Sequence, residues 1–276
     1  MQSVVTGGIS DAVADTLFIT LYMRCLEHRR PDGIIRDSEA CRIVDAVDYD
    51  FSKYNEVERS QLGTCIRTRH FDDVARHFIE NNDNPVVICL GCGLDNRAHR
   101  VGSDSAVFYN IDLPEVMEVR DQLIEPDERN ISIHDSMFNR SWIDRIRADQ
   151  PGGAFLLMAE GVFMFFLEDE IRSMVMRIAN LLSPSEFVFD ACSSFGCKMS
   201  SKHETIRFTN ASFKWGLDDD HAPERWMQNL RLTDVSYYMD KEKDRWGLMT
   251  RAMSLVPFFF KAFKMLHYKQ EAQAVR

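Results

Sequence analysis

The pattern of apolar and polar positions along the chain changes character near residue 80. Before that point apolar residues recur at helical spacing, which predicts three helices over residues 10–29, 37–47 and 56–79. After it, short apolar runs alternate with amphipathic stretches, as in proteins whose strands are each followed by a helix. The predicted strands are Val86–Leu90, Val107–Asp112, Ile131–His134, Ala154–Glu160, Glu186–Ala191, Leu232–Tyr238 and Leu266–Lys269.

This alternation predicts an α/β fold. We expect a Rossmann-like, mostly parallel, seven-stranded sheet with helices on both faces, preceded by an N-terminal helical cap or lid over residues 1–80. Residues 81–276 would form the core. Within that core, residues 192–230 are rich in Ser, Asp, His and aromatic side chains and predict a long excursion that shapes a substrate pocket. A helix interrupted near Pro257 is predicted from Trp246 to Leu266.

The ends of the predicted strands carry the candidate chemistry. The buried run before Gly91 ends in the turn Gly91-Cys92-Gly93, and a glycine turn that opens a helix lets the backbone approach a ligand closely. About twenty residues later, Asp112 ends the next strand, where doubly wound folds bind ribose hydroxyls. Asp135 and Glu160 follow the third and fourth strands. Together these residues predict a nucleoside site at one edge of the sheet.

The turn does not match the common phosphate-binding motifs. A dinucleotide fingerprint needs a third small residue where this chain has Asn96, and Asp95 places a negative charge where a pyrophosphate would bind. No Gly-Lys-Ser/Thr follows, which disfavours a P-loop. A ligand with a ribose, no phosphate and a cationic centre fits better, and S-adenosylmethionine (SAM) has that character.

Five sequence motifs resemble the leucine carboxyl methyltransferase family of SAM-dependent enzymes, especially its bacterial polyketide-type O-methyltransferases. They are residues 66–72, the glycine turn from Leu90 to Arg97, Asp112-Leu113-Pro114-Glu115-Val116, Ala159-Glu160-Gly161-Val162 and Lys214-Trp215-Gly216. The motifs occur in the family's order. Two departures are Cys92, where the family usually has Ala, and Asn96, where it usually has Thr.

The resemblance implies a role for each matching residue. Arg67 would pair with the methionine carboxylate of the cofactor, and Gly91 and Gly93 would let the cofactor lie against the backbone. Asp112 would accept from the ribose hydroxyls, and Glu160 would lie near the amino group. The remaining implied contacts are to the adenine, from Asp135 and Ser136.

Substrate contacts are expected from the excursion, with His203, Arg207 and Lys214 as candidates. A carboxylate acceptor needs no general base, because it is already ionised at neutral pH. A phenol or alcohol would need one, and His203 or His221 would then be candidates. A small natural product with a carboxylate is the expected acceptor. A protein C-terminus, or SAM binding without catalysis, remains an alternative.

Composition narrows the partners. The formal net charge of −10 disfavours nucleic acid, since binding to its phosphates needs a surplus of Lys and Arg. The chain lacks a signal-peptide pattern and an apolar run long enough to span a membrane, so no membrane partner and a cytoplasmic location are expected. The 7 scattered cysteines are expected to be reduced thiols. The 8 histidines lack metal-ligand spacing, so no metal is expected.

Overall fold

The structure is a computed structural model that describes residues 11–54, 58–199 and 212–271, without the side chains of residues 11–16, 53 and 58. His203 and Arg207 lie outside the described residues. The helices are α1 (Asp11–Arg29), α2 (Ser38–Ala46), α3 (Glu58–Glu80), α4 (Arg97–Val101), α5 (Pro114–Leu123), α6 (Ser141–Asp149), α7 (Glu168–Leu181), α8 (Ser194–Lys198), α9 (Leu248–Ser254) and α10 (Pro257–Phe260). The strands are β1 (Pro85–Leu90), β2 (Val107–Asp112), β3 (Asn130–His134), β4 (Ala154–Ala159), β5 (Ser185–Cys192), β6 (Leu230–Tyr237) and β7 (Phe263–Gln270).

The seven strands form a single sheet in the order β3-β2-β1-β4-β5-β7-β6. Strands β1 to β5 pair in parallel, and β7 runs antiparallel to both β5 and β6. The strand order reverses between β1 and β4, and ligands of open α/β sheets bind at the carboxyl ends of the strands at such a reversal. The predicted fold class is confirmed.

Alternate residues of the central strands face two separate hydrophobic clusters, as expected for a sheet covered on both sides. On one face, Val86, Ile88 and Leu90 of β1 pack in a cluster with residues of α6 and α7. On the other face, Val87 and Cys89 pack in a cluster with residues of α3. The predicted boundary between cap and core at residue 80 thus falls between two elements that share a core.

Helices α1 and α2 pack against each other and are joined covalently. Asp37 caps α2 by accepting a hydrogen bond from the Ala40 amide, at 2.9 Å. Cys25 of α1 and Cys41 of α2 have Cα atoms 4.6 Å apart and form a disulfide. The prediction that all cysteines are reduced thiols is therefore wrong for this pair. Helix packing brings these two apolar positions together, which a separation of 16 residues in sequence does not reveal. The other five cysteines are free.

The C-terminal helix ends earlier than predicted. Helices α9 and α10 occupy part of the predicted range, but residues 263–266 belong to β7. Strand β7 lies between β5 and β6, and its sequence, Phe263-Lys264-Met265-Leu266-His267-Tyr268-Lys269-Gln270, does not alternate strictly between apolar and polar residues, so periodicity alone does not separate its first half from the end of a helix. None of the helices in the described ranges combines the length and apolar character that a membrane-spanning helix needs.

Candidate active site

The glycine turn after β1 is held from both sides. Gly91 and Gly93 have φ angles of 60° and 49°, in the left-handed region. The Gly93 amide donates to Asp112 Oδ2 at 2.8 Å, so the turn and the end of β2 are in direct contact. From the other side, Arg120 of α5 donates to the carbonyl oxygens of Gly93 (2.9 Å) and Asp95 (2.6 Å). Arg120 was not among the predicted site residues.

Asp112 keeps acceptor capacity although it already holds the turn. Its Oδ1 accepts from the Leu113 amide at 2.8 Å, while Oδ2 accepts from Gly93. Burial raises the pKa of Asp112, and the hydrogen bonds from Gly93 and Leu113 oppose that rise. Each ionised carboxylate oxygen accepts about two hydrogen bonds, so Asp112 can accept further donors such as ribose hydroxyls.

The space beside Gly91 is filled by protein. A Cβ atom on Gly91 would lie 2.7 Å from Val162 Cγ2, and one on Gly93 would lie 3.0 Å from Leu17 Cδ2. Val162 follows β4, so the missing side chain of Gly91 lets the loops after β1 and β4 meet. This is a packing reason for Gly91, in addition to the predicted approach of the cofactor.

Gly91→Ala is expected to lower the free energy of unfolding by about 2–5 kcal/mol, from left-handed strain together with overpacking against Val162. Gly152 is the matched control, because its φ is 78° and a Cβ there would meet nothing within 4 Å. Gly152→Ala should cost about 1–2 kcal/mol, from strain alone. Urea unfolding measures both. Equal losses in the two variants would refute the contact with Val162.

Arg67 projects from α3 to the loop after β4. Its Nε donates to Glu160 Oε1 at 3.1 Å, and its Nη1 donates to Asp190 Oδ2 at 3.1 Å. Burial disfavours the charged form, but Asp190, Tyr238 and Glu160 raise the pKa of Arg67 well above its ordinary value. The guanidinium lies against Gly161, where a Cβ would be 3.0 Å from both terminal nitrogens. Within the described ranges, the hydrogen bonds of Arg67 to carboxylates come from Nε and Nη1 and none comes from Nη2.

Asp190 and Tyr238 complete this cluster and were missed by the sequence analysis. Asp190 Oδ1 accepts from the Gly161 amide at 2.6 Å, and Oδ2 accepts from the Tyr238 hydroxyl at 3.2 Å as well as from Arg67. Burial raises the pKa of Asp190, against the opposing effects of Arg67 and the Gly161 amide. An acid inside the apolar strand Phe187-Val188-Phe189-Asp190-Ala191 was the available signal.

Glu160 joins the Arg67 cluster to a second, buried set of ion pairs. Its carboxylate accepts from Thr68 Oγ1 at 2.9 Å and from Arg97, as well as from Arg67. Burial would raise the pKa of Glu160, but Arg97 and Arg67 hold it below its ordinary value. Glu160 is predicted to lie beside the amino group of the cofactor. That amino group would be a fourth hydrogen-bond donor to the Glu160 carboxylate, in addition to Arg67, Thr68 and Arg97.

Asp95 lies at the centre of the second set. Arg100 Nη1 lies 2.6 Å from Asp95 Oδ1, and Arg97 Nη2 lies 3.1 Å from Oδ2. Burial would raise the pKa of Asp95, but Arg100, Arg97 and Arg24 hold it well below its usual range. The negative charge that disfavoured a pyrophosphate is therefore neutralised by neighbouring arginines. The Asp95 side chain thus connects the residue that follows the glycine turn to α1 and α4.

Asp135 and Ser136 lie at the same edge of the sheet. The Asp135 amide donates to the Asp112 carbonyl at 3.0 Å, which joins the ends of β2 and β3. The Asp135 carboxylate accepts from the Ser136 amide (2.8 Å), Asn139 Nδ2 (2.6 Å) and the hydroxyl of Ser141, the first residue of α6. These bonds stabilise the turn after β3, and the contact of Asp135 and Ser136 with adenine stays a prediction.

A cavity of about 510 Å³ opens beside Arg67, Gly161 and Asp190. Its walls come from α1 and α3 on one side and from the loop after β4, residues 195–199, Phe213 and residues 238–263 on the other. Half of the lining residues are aromatic or methionine, including Met23, Met164, Phe165, Tyr238, Trp246 and Phe259. A pocket with an apolar wall and a few convergent polar groups is typical of a small-molecule site.

The predicted substrate residue Lys214 does not line this cavity, and its side chain is exposed. Its amide donates to the Met164 carbonyl at 2.7 Å. A role for Lys214 in substrate binding stays a prediction, as do the roles of His203 and Arg207. The described part of the predicted excursion is firmly packed, because Trp215, Leu217 and Trp226 are buried. No group of His, Cys, Asp or Glu suited to a metal ion occurs within the described ranges.

The sheet order and the position of the site at its reversal define the class of protein, that with a Rossmann-like α/β fold. Two solved structures share this fold. One is a DUF574 family protein from Streptomyces avermitilis, with a TM-score of 0.55, 11% identity and coverage of 93% of this chain and 97% of that chain. The other is a SAM-dependent methyltransferase from Anabaena variabilis, with a TM-score of 0.52, 9% identity and coverage of 81% and 96%.

The family follows from the sequence. A sequence model of the family described as leucine carboxyl methyltransferase matches residues 18–179, and the chain belongs to that family. The tetracenomycin polyketide synthesis O-methyltransferase TcmP of Streptomyces glaucescens is 28% identical over 229 residues, which cover 83% of this chain and 84% of TcmP. The SAM-dependent methyltransferase dpfgK of Gibberella zeae is 26% identical over 250 residues, which cover 82% of each.

The predicted family and cofactor are thereby confirmed, and so is the broader part of the predicted activity: this is a SAM-dependent methyltransferase. The residues at the strand ends fit that cofactor. Asp112 has spare acceptor capacity for hydroxyl groups. Arg67 lines the cavity, and its Nη2 donates to no carboxylate among the described residues.

Proposed function

We propose that this chain is an O-methyltransferase that methylates a carboxylate on a small, largely apolar natural product of polyketide type. The observation that carries the proposal is the cavity of about 510 Å³ that meets Arg67 and Gly161 at the end of β4. Its aromatic and methionine walls suit a ring-containing molecule better than a polar peptide. The similarity to TcmP supports the same class of acceptor.

Each strand-end residue has a proposed binding role. Arg67 holds the carboxylate of SAM through Nη2, in a charge-assisted hydrogen bond. Asp112 accepts hydrogen bonds from the ribose hydroxyls, and the backbone of the turn from Gly91 to Gly93 contacts the ligand. Asp135 and Ser136 border the adenine, and Glu160 lies near the amino group.

When bound, SAM supplies an electrophilic methyl group. The chain's own contribution is to orient the acceptor oxygen and to exclude water, which are the main sources of catalysis when the nucleophile is already ionised. The apolar walls, including Met164 and Phe165, do both.

Binding of S-adenosylhomocysteine (SAH) tests the cofactor site without any acceptor. Calorimetric titration is expected to show micromolar binding of SAH and none of NAD. In Asp112→Asn, SAH should bind about 10-fold more weakly, because one carboxylate acceptor becomes an amide. Binding of NAD by the wild type, or unchanged SAH affinity in the variant, would contradict the assigned site. SAH binding without turnover of any acceptor would favour a non-catalytic role.

A hydroxyl acceptor is the second candidate, and Asp190 favours it. Its carboxylate lies in the cavity wall with Tyr238, and a second anion close to it would be repelled. Burial raises the pKa of Asp190, which makes it a better proton acceptor than an ordinary aspartate.

The pH dependence of kcat/KM separates the two acceptors. A carboxylate acceptor is ionised above about pH 5, so the rate should stay flat from about pH 5 to pH 9 in both wild type and Asp190→Asn. With Asp190 as base, the rate would fall as pH drops through its raised pKa, and Asp190→Asn would remove that fall together with most activity. A panel of aromatic acids, phenols and peptides with a free C-terminus identifies the acceptor directly, and preferential turnover of the peptides would support a protein C-terminus.

A further inference from the structure

Helices α9 and α10, with the residues between them and Lys261, form a surface that we call the 248–261 surface. It carries five of the large apolar side chains that are exposed among the described residues: Leu248, Met249, Leu255, Val256 and Phe258. Leu248 and Leu255 are 85% and 83% exposed, which is unusual for leucine. A contiguous exposed apolar patch usually marks an interaction site.

The same segment is apolar on its inner side. Met253 and Phe259 line the cavity together with Thr250, while the leucines point away from it. The 248–261 surface is thus the outer side of one cavity wall. Whatever covers this surface is close to the site where an apolar acceptor would bind.

The charge of the segment favours an anionic partner. The 248–261 surface itself contains Arg251 and Lys261 and no Asp or Glu, although the whole chain has a formal net charge of −10. Arg245 and Lys264, on either side of it, are paired with Glu27 and Asp220 and do not add to its charge. Arg251 and Lys261 are exposed on the surface itself. Asp244, fully exposed at the rim, lies 4.0 Å from Arg251 and compensates it weakly. Two copies that met symmetrically through this surface would bring like charges together.

We propose that the 248–261 surface docks on an anionic lipid surface. Protruding aliphatic and aromatic side chains enter the boundary between headgroups and acyl chains, and flanking Lys and Arg contact anionic headgroups. The proposal revises the expectation that the chain has no membrane partner, which rested on the absence of a spanning segment. It requires no spanning helix.

Cosedimentation of the full chain with large unilamellar vesicles tests this. We expect binding to phosphatidylcholine vesicles that contain phosphatidylglycerol, and weaker binding to phosphatidylcholine alone. Leu248→Ser with Leu255→Ser should lower the partition coefficient about 10-fold, because two exposed apolar side chains no longer enter the bilayer. Leu167→Ser is the control, since Leu167 is 55% exposed on a different surface and its replacement should leave binding unchanged.

Three results would overturn the proposal. One is no binding to either vesicle, and another is equal binding by wild type and the double variant. The third comes from analytical ultracentrifugation without lipid: a dimer that the double variant converts to a monomer, with no vesicle binding, would assign the surface to self-association. Thermal melting of both variants checks that each is folded. None of these measurements depends on methyl transfer.

Discussion

Replacement of Arg67 by glutamine is expected to weaken SAH binding about 10- to 100-fold, the loss of a charge-assisted hydrogen bond of about 1.5–3 kcal/mol. Glutamine cannot present a charged nitrogen to the cofactor carboxylate. Some stability should be lost, because Asp190 keeps the neutral Gly161 amide and Tyr238 as partners but loses a cation, whereas Glu160 keeps Arg97 and Thr68. Calorimetric titration gives the affinity, and thermal melting without ligand reports the fold.

Arg69 is the matched control for this experiment. It lies two residues along α3 and pairs with Glu242 at 2.8 Å, away from the cavity wall. Arg69→Gln removes the same charge from the same helix and should change SAH affinity less than about threefold, the scale of an ordinary partly exposed ion pair. If the two variants weakened binding equally, the effect would belong to the net charge of α3 rather than to a contact by Arg67.

Arg97→Met is expected to lower the free energy of unfolding by about 3–5 kcal/mol at neutral pH. Arg97 is 2% exposed and pairs with Asp72 (2.9 Å), Asp95 (3.1 Å) and Glu160. Methionine has a similar shape but leaves these buried carboxylates undercompensated. Arg140→Met is the control, because it removes an exposed pair with Asp144 at a separation of four residues and should cost at most about 0.5 kcal/mol.

The destabilisation caused by Arg97→Met should depend on pH, because the pKa values of Asp95 and Glu160 are lowered in the folded wild type. In the wild type these carboxylates bind protons less readily when folded. Their stabilisation is present above the unfolded pKa, near 4, and is lost as pH falls through the folded pKa. Without Arg97 they take up protons at higher pH, which relieves the uncompensated charge. The difference between wild type and Arg97→Met should therefore narrow from pH 7 toward about pH 4–5. A constant difference in urea unfolding across that range would contradict the ionic cause.

Local sequence signals were sufficient to predict the seven-stranded sheet and the acidic residues at the ends of its strands. Strand periodicity placed Asp112 at the end of β2, and the structure joins it to the glycine turn through the Gly93 amide. The same signals could not show Asp190 and Tyr238 meeting Arg67, because those contacts join residues more than a hundred positions apart and depend on the placement of β5 beside β4. Arg97 belonged to a recognised motif, but its role emerges only when its three carboxylate partners surround it.

Two predictions from the sequence were wrong, the reduced state of all cysteines and the end of the C-terminal helix, and their causes are related. The disulfide between Cys25 and Cys41 depends on how α1 packs on α2, and the sequence contains no pairing signal for it. The predicted helix ran into β7 because both faces of this strand mix apolar and polar residues, so it lacks the strict alternation that identifies a strand. Both features are decided by tertiary packing.

The match to the family ends at residue 179, whereas more than half of the residues that line the cavity lie beyond it. The proposed cofactor contacts thus all lie within the matched range, whereas more of the cavity wall lies beyond it than within it. Changes in residues 195–263 can reshape the cavity without touching the glycine turn or Asp112. Exchanging that stretch between relatives is therefore a practical route to enzymes with altered acceptor preference and retained affinity for SAM.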